Sequence, residues 1–166
     1  IAVSSTGLWV AVGSGTNTMA YSNNGVDWTG LGKSIFNDYA YGVAVNSLGR
    51  WVAVGSGTNT MAYSDDGINW NGLGKSIFTN YGYGIAVNSL GRWVAVGSGS
   101  TSTAMAYSNN GDVWTSSSPY YNAKIKSLSW NGSLWIAVGS DLTNTIAYSD
   151  DGINWIGVGK DILTTI

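Results

Sequence analysis

Three Asn, three Lys and a set of Tyr recur at related places along this chain. Asn17, Asn59 and Asn144 each sit inside a Thr-Asn-Thr phrase. Lys33, Lys75 and Lys160 each follow a Gly in a segment of the form Gly-Lys-Ser/Asp-Ile-Phe/Leu. Tyr39 and Tyr81 lie just beyond two of those segments, and Tyr120 and Tyr121 occupy the corresponding stretch of a third. Amides and ammonium groups hold hydroxyls, and a ring with an apolar face and a polar edge stacks on the apolar face of a sugar. These residues are therefore candidates for carbohydrate contact. Ile35 and Phe36, in the same segment, suit packing between structural elements at least as well as ligand contact.

The side chains needed for common catalysis are missing. The chain holds nine acidic residues, all Asp, and has no Glu, His or Cys. Neither a His-based triad nor a thiolate nucleophile can be assembled. Two Asp could in principle cleave a glycoside. However, Asp27, Asp65, Asp66, Asp112, Asp150 and Asp151 fall in or beside one recurrent turn, which leaves Asp38, Asp141 and Asp161 for any other surface. Asp65-Asp66 and Asp150-Asp151 lack the spaced oxygen ligands that calcium takes. No catalytic residue, metal or cofactor is expected.

The elements that would position these groups are set by repetition. Trp9, Trp51, Trp93 and Trp135 stand 42 residues apart, each within the phrase Trp-Val/Ile-Ala-Val-Gly-Ser. A fixed period in this range signals a solenoid, propeller or array. The 166 residues contain 24 Gly, 9 Trp and 10 Tyr, with a net charge of −2. Abundant aromatics provide a core despite the low charge. The seven cations are scattered rather than clustered, which argues against nucleic acid. No apolar run is long enough for a membrane helix. The first residue is Ile, so the chain reads as a processed or excised segment.

Within one repeat, Tyr41–Val45 reads as strand A, Trp51–Gly55 as strand B and Met61–Ser64 as strand C, with strand D starting at Ile68. Gly49 supplies positive φ between A and B, and Asp66-Gly67 has the Asp-Gly form of a tight hairpin. Strand B is apolar on both faces, so both sides must be covered. A four-stranded sheet packed between like neighbours meets that need, and radial repetition leaves only short edges. The expected fold is an all-β propeller with four blades of four antiparallel strands, A innermost. It forms one domain over 1–166, with blades near 1–40, 41–82, 83–124 and 125–166. Trp9, Trp51, Trp93 and Trp135 should be buried alike, as should Trp28, Trp70, Trp114 and Trp155.

The turn before strand D reads Ser22-Asn-Asn-Gly-Val-Asp-Trp28, Ser64-Asp-Asp-Gly-Ile-Asn-Trp70, Ser108-Asn-Asn-Gly-Asp-Val-Trp114 and Ser149-Asp-Asp-Gly-Ile-Asn-Trp155. This resembles the Asp-box repeats of sialidase-type propellers. It also resembles highly repetitive propeller proteins of large DNA viruses and bacteria. Asn24 and Asn110 replace the acid, and the spacing to Gly is shorter than the usual box. The resemblance implies a propeller whose active face lies opposite these turns. The sialidase site itself needs three arginines, a Tyr nucleophile and a Glu. Here Arg50 and Arg92 lie in A–B turns, on the opposite end from the B–C loops and D–A crossings.

Those loops and crossings form the expected ligand face, since loops on a rigid scaffold carry function. The third repeat changes there twice, in a longer B–C loop and in a crossing with the only Pro, by drift or as a distinct site. The functional expectation is a non-enzymatic binding or scaffold module, with weak multivalent carbohydrate binding. The alternatives are a purely structural or assembly role, or a chain assembled to study how repeats make propellers; glycoside hydrolysis ranks last. Self-association is the expected protein contact: two chains completing an eight-bladed ring, against a small closed ring of four blades.

Overall fold

In the computed structural model, residues 1–99, 104–117, 124–140, 144–161 and 163 are described. Blade one contains β1 (Ala2–Val3), β2 (Trp9–Val12), β3 (Met19–Ser22) and β4 (Thr29–Gly30). Blade two contains β5 (Ala40–Val45), β6 (Trp51–Gly55), β7 (Met61–Ser64) and β8 (Asn71–Gly72). Blade three contains β9 (Tyr81–Val87), β10 (Trp93–Ser98), β11 (Met105–Ser108) and β12 (Thr115–Ser116). Blade four contains β13 (Lys124–Trp130), β14 (Trp135–Ser140), β15 (Ile146–Ser149) and β16 (Ile156–Gly159). Each blade is one antiparallel sheet with its strands in chain order. The first strands adjoin in succession, β1 to β5, β5 to β9 and β9 to β13, so they are innermost.

The register repeats with the sequence. Trp9 pairs with Ser22, Trp51 with Ser64, Trp93 with Ser108 and Trp135 with Ser149. Side chains two apart on a strand share a face, so strand B presents Val to one neighbour and Trp and Ala to the other. Between blades one and two, Val10, Met19 and Phe36 pack with Trp51, Ala53 and Ala62. Between blades two and three, Val54, Met61 and Phe78 pack with Ala95 and Ala106. Between blades three and four, Val94, Val96 and Met105 pack with Trp135, Ala137 and Ala147. One interface is thus made three times. Phe36 and Phe78 are fully buried plugs in the crossings. Gly55 and Gly97 make room for them, since a Cβ at either would strike the Phe ring and a Tyr carbonyl.

The fourth strand departs from expectation. Ile68–Trp70 is turn, and β8 holds only Asn71 and Gly72. Asp66 Oδ1 accepts the N–H groups of Ile68 (2.9 Å) and Asn69 (2.7 Å), which a ladder would otherwise use. Ser64 Oγ accepts from Gly67 (2.9 Å), and Trp70 Nε1 donates to the Gly67 carbonyl (3.1 Å). Gly67 itself has φ 73°, which glycine adopts without steric cost. Asn24 and Asn110 make the same contacts through their amide oxygens, so the turn accepts either residue.

Burial of the tryptophans is not uniform, contrary to expectation. Trp51, Trp93 and Trp135 are buried, but Trp9 is only half-buried. Trp155 is 7% exposed and Trp28 is 39% exposed. Trp9 and Trp28 belong to the first blade, whose core cluster among the described residues is shared with blade two alone. Strands β5, β9 and β13 also begin one or two residues before the expected boundaries, because pairing continues past an irregularity described next.

Candidate ligand-binding surface

Strand A carries a β-bulge in three blades. In blade two, Ala40 pairs with Gly55 and Gly42 with Val54, leaving Tyr41 as the extra residue. In blade three, Gly82 pairs with Gly97 and Gly84 with Val96, leaving Tyr83. In blade four, Ile125 pairs with Gly139 and Ser127 with Val138, leaving Lys126. Bulges re-aim side chains and recur beside functional sites. Gly42 and Gly84 fit closely at these points: a Cβ at Gly42 would lie 3.2 Å from Val54 Cγ2, and one at Gly84 3.0 Å from Val96 Cγ2.

The bulges assemble a tyrosine platform on the end that carries the B–C loops and D–A crossings, beside the axis. Tyr39 and Tyr41 stack with centroids 5.8 Å apart, and Tyr81 and Tyr83 stack at 5.4 Å. Tyr41 joins the pairs, at 6.3 Å edge-on to Tyr81 and 5.5 Å from Tyr83. Lys126 Nζ closes one end, 3.7 Å from the Tyr83 ring centroid, which is cation–π range. At the other end Ser56 bonds to Tyr41 and donates to Asp38 Oδ2 at 3.1 Å. Burial raises the Tyr41 pKa above the ordinary phenol value; the Ser56 bond opposes this, and Tyr83, Asp38 and Tyr81 reinforce it. Tyr41 is therefore a neutral hydroxyl at physiological pH. Tyr39, Tyr41 and Tyr81 all remain exposed.

The structure divides the sequence candidates between two places. Tyr39 and Tyr81 belong to the platform. Asn17, Asn59 and Asn144 lie at the outer rim, where their side-chain oxygens accept the N–H groups of Gly32 (2.7 Å), Gly74 (2.9 Å) and Gly159 (2.9 Å). Asn59 also donates to the Ile35 carbonyl at 2.8 Å. These amides brace the crossings. Lys33 and Lys75 follow the same glycines and are exposed, while Lys160 is half-buried. Tyr120 and Tyr121 lie outside the described residues. Sequence reasoning missed Tyr41, Tyr83, Lys126, Asp38 and Ser56 as one group. The available signal was the spacing of two in Tyr39-Ala-Tyr41, Tyr81-Gly-Tyr83 and Lys124-Ile-Lys126.

The rim carries a second repeated feature. A groove of about 200 Å³ lies between blades one and two, lined by Leu31, Ser34, Ile35 and Trp70. Its counterpart between blades two and three, about 280 Å³, is lined by Leu73, Ser76, Ile77 and Trp114. Neither arginine joins these sites. Arg50 pairs with Asp65 at 3.0 Å and covers Tyr63, and Arg92 covers Tyr107. Among the described residues no group of three or more Asp could hold a metal ion, and no helix is long and apolar enough to cross a membrane.

No protein-family model and no curated protein matches this sequence. Solved structures do. A GH74 enzyme from Niastella koreensis is similar over 95% of this chain, with a TM-score of 0.63 and 18% identity. The GH74 xyloglucanase from Xanthomonas campestris is similar over 89% of the chain, with a TM-score of 0.55 and 12% identity. The chain spans only 23% and 24% of those two proteins. At such identity the likeness concerns the fold: four four-stranded antiparallel blades of a β-propeller.

Proposed function

We propose that the chain is a non-enzymatic carbohydrate-binding propeller module whose contact surface is the tyrosine platform. The observation that carries this reading is the ladder of exposed Tyr39, Tyr41 and Tyr81 and half-buried Tyr83, held by two bulges and flanked by Lys126 and Asp38. Aromatic planes bury the apolar faces of sugar rings, and the phenol, hydroxyl and ammonium groups at the edges hold their hydroxyls. Absence of Glu and His from the sequence, together with the placement of six Asp in or beside the C–D turns, supports binding without hydrolysis. The Ser-Asx-Asx-Gly turns fit the Asp-box-like reading: they fasten strands C and D at the end away from the platform.

Titration with a panel of neutral oligosaccharides tests this, with xyloglucan fragments first because a neighbouring fold belongs to a xyloglucanase. Saturable binding should weaken at least about tenfold, or ~1.4 kcal/mol, in Tyr41→Ala and Tyr83→Ala. Phe at either position should restore part of it. No binding across the panel, or binding unchanged in both Ala variants, would remove the proposal. Release of reducing ends from any bound glycan would overturn its non-enzymatic half.

A further inference from the structure

We infer that the outer face of blade one and the outer face of blade four are two halves of a further blade-to-blade interface, and that a second copy of this chain docks there head to tail. Three internal interfaces define what each half contains. The receiving half is Trp51, Ala53 and Ala62 in blade two, all essentially buried. Blade one presents the same set, Trp9, Ala11 and Ala20, only half-buried. The inserting half in blade two is Val52 and Val54, both 0% exposed, with Met61 beside them. Blade four presents Ile136 and Val138 on the equivalent face, with Ile146, Tyr148 and Ile156 paired alongside. Ile136 and Ile156 are exposed.

A turn contact shows the same vacancy at finer scale. In each internal interface, the turn glycine of one blade packs against the residue before Trp in the preceding blade. Gly67 faces Leu8, Gly111 faces Arg50, and Gly152 faces Arg92. These three glycines are buried, whereas Gly25 is exposed and has only its own Trp9 nearby. Leu134, the fourth residue of the series, is half-buried in the last blade. Leu134 of one copy therefore meets Gly25 of the other. The same docking sets Trp28, now 39% exposed, beside the exposed Val158 of the other copy, which stands where Leu31 and Leu73 face Trp70 and Trp114 in the internal grooves.

A second copy is the occupant favoured by continuity: it offers the required faces in the order in which the internal blades use them. The contact is heterologous, and two copies satisfy both free faces when the rotation closes. Native mass spectrometry and sedimentation over nanomolar to high micromolar concentration provide the test. The expected species has twice the 17.4 kDa of one chain. Ile136→Asp and Ala20→Arg each change one exposed or half-buried face residue, and each variant alone should run as a single chain. Mixed together they should recover a two-chain species, because the Ile136 face of one and the Ala20 face of the other remain intact. Wild-type protein that stays single throughout overturns the inference. So do variants that pair as well as wild type, a mixture no more paired than its components, or an open series of higher multiples.

Discussion

Replacing Asp66 and Asp151 by Asn should change the acid sensitivity of this fold more than its stability at neutral pH. Desolvation favours protonation of Asp66, but bonds from the Asn69 N–H, the Asn69 amide, the Ile68 N–H and the Ser64 hydroxyl outweigh it and hold the carboxyl at about 2. Asp151 is held at about 2 by the corresponding groups of Asn154, Ile153 and Ser149. A displacement of this size would correspond to roughly 2 kcal/mol for a fully shielded group. Both carboxylates are near water, so screening reduces it to roughly 0.5–1 kcal/mol each. The folded-state value is depressed, so the contribution is complete above the unfolded value and is lost as pH falls through the folded one. Wild-type protein should lose ~1–2 kcal/mol between about pH 4 and pH 2 from these turns. The double Asn variant should lack that loss and cost about 1 kcal/mol at neutral pH. Adding Asn69→Asp and Asn154→Asp should recover neutral stability, because blade one already uses Asn24 with Asp27, the Asn24 amide donating to Asp27 Oδ2 at 2.8 Å. Urea unfolding followed by tryptophan fluorescence at several pH values measures all three proteins. An acid-induced loss in the Asn variant equal to that of wild type would refute the reasoning, as would a neutral cost above about 3 kcal/mol, the upper end for a bond to a charged group.

Phe78→Ala should destabilise by about 3–5 kcal/mol in urea unfolding, since the ring is fully buried between blades two and three; a cost near zero would mean the crossing is no plug. Gly13→Ala and Gly55→Ala form a matched pair within identical surrounding sequence. In the Ile136→Asp background, expected to run as a single chain, Gly13 has open space and should gain up to ~0.5–1 kcal/mol, whereas Gly55 meets Phe36 and the Tyr39 carbonyl and should lose ~1–3 kcal/mol; equal effects by thermal melting would contradict the packing. Because burial raises Tyr41, its stabilising contribution is present below the ordinary phenol value and is lost as pH rises through the folded value. Titration of tyrosinate absorbance should show less late ionisation in Tyr41→Phe than in wild type.

Much of the fold could be read from period and alternation. The Trp spacing gave four units, and apolar residues on both faces of Trp51–Gly55 required a covered strand. Strand D was less legible. Ile68-Asn-Trp70 has strand-like residues, but the donors of Ile68 and Asn69 are captured by Asp66, a local competition that alternation cannot express. The platform was half legible. Tyr39 and Tyr81 stood out as aromatics near a crossing, while Tyr41 and Tyr83 passed as ordinary first residues of strand A. The following Gly42 and Gly84 were the overlooked cue, since glycine inside a strand often marks a bulge or close approach. Asn17 and Asn59 were read for ligand hydroxyls because they sit in polar loops. The crossings beside them hold backbone N–H groups that need acceptors, and those needs come first.

Identical segments in unlike surroundings show what remains beyond such reading. Val10–Ser22 and Val52–Ser64 have the same thirteen residues in the same order. Ala53 and Ala62 are buried, while Ala11 and Ala20 are half-buried. Gly55 is enclosed by Phe36, and Gly13 has no atom near its missing Cβ. No local propensity distinguishes the two copies, so the difference comes from the blade in front. Blade two has Phe36 and the inserting valine face of blade one against it, and blade one has no such neighbour here. Hydrophobic burial is a property of contact rather than of residue type. A repeat of this kind therefore specifies a complementary pair of faces, and the length of the series decides which faces are covered. The platform needs consecutive blades, because Tyr39 and Tyr41 meet Tyr81 and Tyr83 only across the β5–β9 junction. The same contact that buries Trp93 against blade two therefore builds the surface to which we assign sugar binding. Stability and ligand contact are thus linked through this junction.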